Sequence, residues 1–157
     1  MKALVISDTH GAAENLRSLM ELAERGIRPD ALIFCGDGLH DVLPYRQAFS
    51  LFWPVSGNCD LCPPPGIPRE RTERLGSLWV YITHGNTLRV KHSLLPLCYR
   101  AEEAEAKVAC FGHTHFPCLR WEDGILLLNP GALCEGRYAI LEVGPQGEAS
   151  ASLHMLV

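Results

Sequence analysis

Five short apolar runs constrain this chain more than any other feature. Ala3 to Ser7, Ala31 to Cys35, Phe52 to Val55, Leu78 to Thr83 and Lys107 to Phe111 each lead directly into residues able to hold a metal ion. Asp8-Thr9-His10 follows the first run, Gly36-Asp37 the second, Gly57-Asn58 the third, His84-Gly85 the fourth and Gly112-His113-Thr114-His115 the fifth. The length of the runs and their Val, Ile, Phe and Tyr content predict buried strands. Between the first two, Leu16, Leu19, Met20 and Ala23 recur at i, i+3, i+4 and i+7, one apolar stripe of a helix that Gly26 and Pro29 stop. A weaker helical pattern spans Asp41 to Phe49, and a third spans His92 to Ala106, with Pro96 disturbing its first turns. Strands alternating with helices predict an α/β domain with parallel strands. In such sheets ligands bind beyond the carboxyl ends of the strands, where all five groups fall.

After Phe111 the pattern changes. Pro117 to Trp121, Ile125 to Leu128, Tyr138 to Val143 and Ala149 to Leu156 read as short strands. The turn chemistry of Glu122-Asp123-Gly124 and Gly144-Pro145-Gln146-Gly147 lies among them, which predicts an antiparallel meander. Cys62 to Pro68 is a stiff surface loop and no boundary, since the runs on both sides belong to one pattern. Residues 1–157 are therefore expected to form a single domain. A chain of this length buries roughly 70% of its unfolded surface and has no need of disulfides. Trp53, Trp79 and Trp121 are expected in the core or between sheets, with Cys35 and Cys110 buried in strands.

Fourteen Lys and Arg stand against eighteen Asp and Glu, a net charge of −4 without a basic stripe, so nucleic acid is not indicated as a partner. No apolar run approaches the ~20 residues of a membrane span, and the first eight residues lack the apolar stretch of a signal peptide. Seven irregularly spaced cysteines then read as reduced thiols in a cytoplasmic protein. Cys59-x-x-Cys62 has no second pair at zinc-finger spacing.

Residues two apart in extended chain point the same way, so Asp8 with His10, and His113 with His115, each offer two ligands to one place. Asp8, His10, Asp37, Asn58, His84, His113 and His115 are too many for one tetrahedral ion. They suit two adjacent ions with one carboxylate bridging. Mixed carboxylate, amide and imidazole donors favour Mn²⁺, Fe²⁺ or Zn²⁺ over Ca²⁺ or Mg²⁺. Ion pairs ~3.5–4 Å apart suit phosphoester hydrolysis. The competing reading is a set of solvated loop residues and helix caps. His40 stands either within reach of a substrate or as a solvated residue before the second helix. Asp60 either orients a ligand or stabilises its own turn. Arg89 and Lys91 either attract phosphate or are ordinary surface cations.

The ordered series from Asp8 to His115, followed by Asn129-Pro130-Gly131, resembles the calcineurin-like metallophosphoesterase family. Gly57-Asn58-Cys59-Asp60 is similar to its small prokaryotic phosphodiesterase branch. The resemblance implies an α/β fold, a two-sheet β-sandwich flanked by helices. It implies one ion on Asp8, His10, Asp37 and His115 and a second on Asp37, Asn58, His84 and His113. A bridging hydroxide would attack phosphorus in line. Asp37 and Asn58 are then the catalytic pair, and Asn58, Asn86 and His40 are the residues expected to touch substrate. The implied cofactor is two divalent ions, Mn²⁺ first, with Ni²⁺, Fe²⁺ and Zn²⁺ as alternatives. Related small enzymes imply a homo-oligomer. Two positions depart from the family pattern. Larger members carry His after the Asn where this chain has Cys59, and small members often read His-Gly-His where this chain has His84-Gly85-Asn86. Two dications, two carboxylates and a hydroxide leave a core of about +1, which a phosphodiester neutralises and a monoester dianion overshoots. A small phosphodiester is therefore the first substrate expected and a phosphomonoester the second. The alternative is a catalytically weak protein-binding scaffold, since a eukaryotic sorting-complex subunit with this fold also lacks the catalytic His.

Overall fold

Each of the five runs forms a strand in the computed structural model, which describes residues 1–157. In chain order the elements are β1 (Lys2–Ile6), α1 (Ala13–Leu22), β2 (Ala31–Phe34), α2 (Leu39–Val42), β3 (Leu51–Pro54), β4 (Glu70–Leu75), β5 (Leu78–Thr83), α3 (Leu95–Glu103), β6 (Val108–Cys110), β7 (Cys118–Glu122), β8 (Ile125–Asn129), β9 (Arg137–Val143) and β10 (Ala149–Met155). They build two five-stranded sheets, ordered β10-β9-β1-β2-β3 and β4-β5-β6-β8-β7. β1, β2 and β3 run parallel, as do β5, β6 and β8.

The pleat's period of two sorts side chains between layers. Ala3, Val5, Ile33, Trp53 and Val55 meet Val80, Ile82, Val108, Cys110, Leu126 and Leu128 between the sheets. Leu4, Ile6, Leu32 and Phe34 point the other way, onto Leu16 and Leu19 of α1 and Leu39 and Val42 of α2. Tyr81, Ala109 and Leu127 pack on Leu97, Cys98 and Ala101 of α3. The result is a two-sheet sandwich flanked by helices. Strands covered on both faces must be apolar throughout, which is why β1 and β2 read as continuous runs.

Several expectations need correction. The last four strands do not form one meander. β7 and β8 make a hairpin in the second sheet, with β8 parallel to β6, while β9 and β10 make a hairpin in the first, with β9 antiparallel to β1. Hairpin pairing is local, but the sheet that receives each hairpin is chosen by long-range contacts. β4, with the sequence Glu-Arg-Thr-Glu-Arg-Leu, went unread because it is a polar edge strand, the charged kind that blunts further pairing. Trp53 is buried, but Trp79 and Trp121 are exposed, with Arg74 6.0 Å from the Trp79 ring centre. The predicted helix ends shift as well. The second pattern divides into α2 and a 3₁₀ segment, Leu43–Ala48. Pro96 sits in the first turn of α3, where its missing N–H costs nothing, so it starts the helix and does not bend it.

Candidate metal centre

Parallel order carries the ends of β1, β2, β3, β5 and β6 to one edge, and backbone strain collects there. Nine non-glycine residues have positive φ, and Asp8, His10, Asp37, His113 and His115 are among them, at +44° to +66°. This conformation costs an L-residue about 1–3 kcal/mol and persists only where the surroundings enforce it, typically at functional sites.

The first cluster forms around Asp8, whose carboxylate is fully buried. Its Oδ2 accepts hydrogen bonds from Ser7 Oγ (2.5 Å) and from the His113 N–H (3.1 Å). Its Oδ1 accepts none. That oxygen lies 3.1 Å from His115 Nε2 and 3.5 Å from His10 Nε2, without the alignment of a hydrogen bond, and the two nitrogens are 3.3 Å apart. Ligands held about 2.1 Å from one ion are roughly 3.0–3.4 Å apart, depending on coordination number. A buried carboxylate oxygen without a donor, facing two imidazole nitrogens at this spacing, fits a divalent cation.

The second cluster forms around Asp37, also buried. Its Oδ1 accepts the Cys59 N–H at 2.7 Å, and its Oδ2 is 3.2 Å from His84 Nε2. His84 Nδ1 donates to the Cys35 carbonyl at 2.7 Å, which sets the tautomer and leaves Nε2 facing Asp37 and, at 3.1 Å, Asn58 Oδ1. Ligand atoms of Asp8, Asp37 and His84 converge, and so do those of His10, Asp37 and Cys59. Asp37 thus belongs to two convergent sets. Burial opposes the charge on Asp37, but the His84 contact and the Cys59 N–H outweigh it and hold the carboxyl well below its usual range. Burial likewise opposes the His84 imidazolium, and the Asp37 bond with the Asp8 and Asp37 charges outweighs it, raising the imidazole.

These opposite shifts set a pH dependence for the metal-free protein. A raised imidazole stabilises the fold below its unfolded value near 6.5 and loses that contribution as pH rises through the folded value. A depressed carboxyl stabilises above about 3.9 and loses that contribution as pH falls. The melting-temperature gap between wild type and His84→Gln, both metal-free, is expected to be widest between about pH 4 and 6.5. A gap unchanged from pH 5 to 8.5 in thermal scans would reject this pairing.

Of the seven ligand-type residues, His113 is the least engaged. Its ring stands edge-on to His84 with centres 5.0 Å apart, and it joins none of the convergent sets. Burial, then the His84 and Lys91 charges, lower its imidazole. His40 is exposed on α2, and its side chain bonds to none of these residues. Asn86 is half-buried in the turn after His84, where its carbonyl accepts the Arg89 N–H at 3.2 Å. The sequence marks Cys59 only as a departure from the family pattern, yet its Sγ lies among the His10 and Asp37 ligand atoms. Its thiol is pushed up by the hydrogen bond to Asp37, then by burial and the surrounding carboxylates.

The framework around the clusters is hydrogen-bonded. Asp60 accepts the N–H groups of Asp37 (2.9 Å), Gly38 (2.9 Å), Leu39 (2.8 Å) and Gly57 (2.8 Å), tying the loop after β2 to the loop after β3. Asp41 Oδ2 takes Thr9 Oγ1 at 2.6 Å and the Gly11 N–H at 2.9 Å, bracing the loop after β1. Buried Asn129 donates to the Gly112 carbonyl at 2.9 Å and to Thr114 Oγ1 at 3.0 Å, supporting the segment that carries His113 and His115. Gly57 is required by close approach, since a Cβ there would lie 2.1 Å from Asp37 Oδ1.

A buried carboxylate–imidazole edge on a two-sheet sandwich defines the class, and comparison with known proteins agrees. Residues 1–144 match the calcineurin-like phosphoesterase superfamily domain, and the chain belongs to that family. It is 35% identical over 133 residues to "Probable metallophosphoesterase YsnB" of Bacillus subtilis, covering 85% of this chain and 75% of that one. Among solved structures, an archaeal phosphodiesterase superposes with a TM-score of 0.74 at 22% identity over 98% of this chain and all of that one. A single mutant of Vps29 from Entamoeba histolytica superposes with a TM-score of 0.78 at 17% identity over the full length of both. At these identities the two structures establish the metallophosphoesterase fold alone. No helix here is long and apolar enough to cross a membrane.

Proposed function

We propose that residues 1–157 act as one metal-dependent phosphodiesterase domain with two divalent ions, Mn²⁺ ahead of Ni²⁺, Fe²⁺ and Zn²⁺. Asp8, His10, Asp37 and His115 would hold one ion, and Asp37, Asn58, His84 and His113 the other. The observation that carries the reading is Asp8 Oδ1, fully buried, without a hydrogen-bond donor and facing two imidazole nitrogens. When bound, the ions supply a hydroxide nucleophile at neutral pH and Lewis acidity toward the phosphoryl group.

The chain's own groups do the rest. The Cys35 carbonyl keeps His84 Nε2 turned inward. The Cys59 N–H fixes the rotation of Asp37. The Asn58 amide, exposed beside His84, would donate to a phosphoryl oxygen, with Asn86 and His40 as outer contacts. A neutral Cys59 thiol is a poor acid for a departing alkoxide, so diesters with good leaving groups are the expected substrates. The protein-binding alternative has one point in its favour, the absence of that acid. The convergent ligand set argues for the hydrolase, because a scaffold has no need of a strained, buried cluster.

The test is hydrolysis of bis-p-nitrophenyl phosphate by metal-stripped protein before and after Mn²⁺ is added. Turnover that appears with metal supports the reading. No turnover from protein shown to hold two ions overturns it in favour of the scaffold. Loading should also stabilise the fold: at 100 times the dissociation constant, about 2.7 kcal/mol and a melting-temperature rise of about 5–10 °C. A thermal scan unchanged by Mn²⁺ would exclude a resident site.

A further inference from the structure

A pocket of about 580 Å³ opens beside the metal loops, a size typical of small-molecule sites. Val90, Lys91 and Leu94 line it from the segment that follows His84-Gly85, and Thr114, Phe116 and Pro117 line it from the segment that carries His113 and His115. Both walls are thus direct continuations of ligand-bearing turns, and both are anchored. Gly85 has φ +99°, and a Cβ there would lie 2.8 Å from Val90 Cγ2, so Val90 packs against the His84 turn. The Val90 N–H also donates to the Gly85 carbonyl at 3.3 Å. On the other wall, Thr114 Oγ1 accepts the Phe116 N–H at 3.2 Å and Asn129 Nδ2 at 3.0 Å. The Phe116 backbone is therefore fixed, while the residue is 75% exposed, one position past His115. An exposed aromatic ring on a fixed backbone offers a flat face for stacking.

We propose that this pocket receives the planar aromatic group of the substrate, an aryl ring or a nucleobase, stacked on Phe116 while the phosphate lies at the metal centre. The proposal rests on the phosphoesterase reading and adds the chemical class of the ester. Val90 and Leu94 supply apolar walls for the ring edge, and Lys91 adds a cation for an anionic ester. Thr114, between His113 and His115, joins pocket and metal loop without an intervening element.

The experiment is calorimetric titration of the Mn²⁺-loaded protein with phenylphosphonate, methylphosphonate and inorganic phosphate, none of which has an ester to hydrolyse. Wild type is expected to prefer phenylphosphonate over methylphosphonate by roughly 5- to 150-fold, the range of base–aromatic stacking. Phe116→Ala should erase that preference and leave inorganic phosphate affinity unchanged, and Phe116→Tyr should restore the preference. Equal binding of the two phosphonates by wild type overturns the subsite, as does a preference that survives Phe116→Ala. A fall in inorganic phosphate affinity in Phe116→Ala overturns it too, since Phe116 would then merely shape the His115 loop. Failure of inorganic phosphate to bind wild type would instead reject the phosphoesterase reading, and the subsite with it. Thymidine 5′-phosphate separates the sources of the ring. Tighter binding than phenylphosphonate assigns a nucleotide, and weaker binding assigns a simple aryl ester.

Discussion

Asp37→Asn is expected to reduce phosphodiester hydrolysis by roughly 10³-fold or more, and to lower bound metal from two ions per chain to one or none. Losing a partner that merely orients a ligand costs 10–100-fold, and Asp37 stands closer to the chemistry than that. Like Asp8 it belongs to two convergent sets, with Asp8 and His84 in one and His10 and Cys59 in the other. Asn has nearly the same shape, so its carbonyl can still accept the Cys59 N–H, now at 2.7 Å from Asp37 Oδ1. On the proposed two-ion reading it would remove a negative charge between the cations and one coordinating oxygen, leaving an amide N–H₂ in its place. The substitution therefore tests charge and ligation with little change in packing. Metal analysis alongside the turnover assay decides it. A variant that keeps two ions and a rate within tenfold of wild type would remove Asp37 from the centre.

The second large effect concerns stability. Asp60→Ala is expected to cost about 3–5 kcal/mol and to lower the melting temperature by about 10 °C in a chain of this size. Four backbone N–H groups from two loops lose their only acceptor at once. Hydrogen bonds to a charged group contribute about 1.5–3 kcal/mol each when buried, but Asp60 is only half-buried. Water then replaces part of what is lost, and the sum falls short of four full bonds. Asp60→Asn, which keeps one acceptor oxygen, should fall between. Because three of those donors belong to Asp37, Gly38 and Leu39, Mn²⁺ affinity should drop by roughly 10- to 100-fold in either variant. A melting-temperature change under about 2 °C for Asp60→Ala would show that the loops hold their shape without this carboxylate.

Both predictions rest on residues that one sequence displays unequally. Asp37 was legible because it ends a continuous apolar run, Ala31 to Cys35, at the place where parallel sheets bind ligands. Asp60 was half-legible: its turn-forming type was evident, but not that its two oxygens reach back 21 to 23 residues to the loop after β2. β4 escaped because a half-exposed edge strand has no apolar face to mark its period. Trp79 and Trp121, expected inside, are exposed, Trp79 near the start of the inner strand β5 and Trp121 on the edge strand β7. His40 and Asn86 are named for their chemistry; His40 is exposed on α2 and Asn86 half-buried in the turn after His84, and neither side chain hydrogen-bonds a ligand-type residue.

The sequence by itself determined the parallel strands β1, β2, β3, β5 and β6, the first helix and the order of the ligand-type residues. Those features follow from local periodicity and from which residues tolerate a tight turn at a strand end. The tertiary structure alone decided which atoms converge. His10 and His115, 105 residues apart, come within 3.3 Å because β1 and β6 end at the same edge of the two facing sheets. His113 is turned beside His84, while Cys59 Sγ enters the centre. Residue type and spacing set which groups can bind an ion. Strand pairing and side-chain torsions across distant loops set which of them meet.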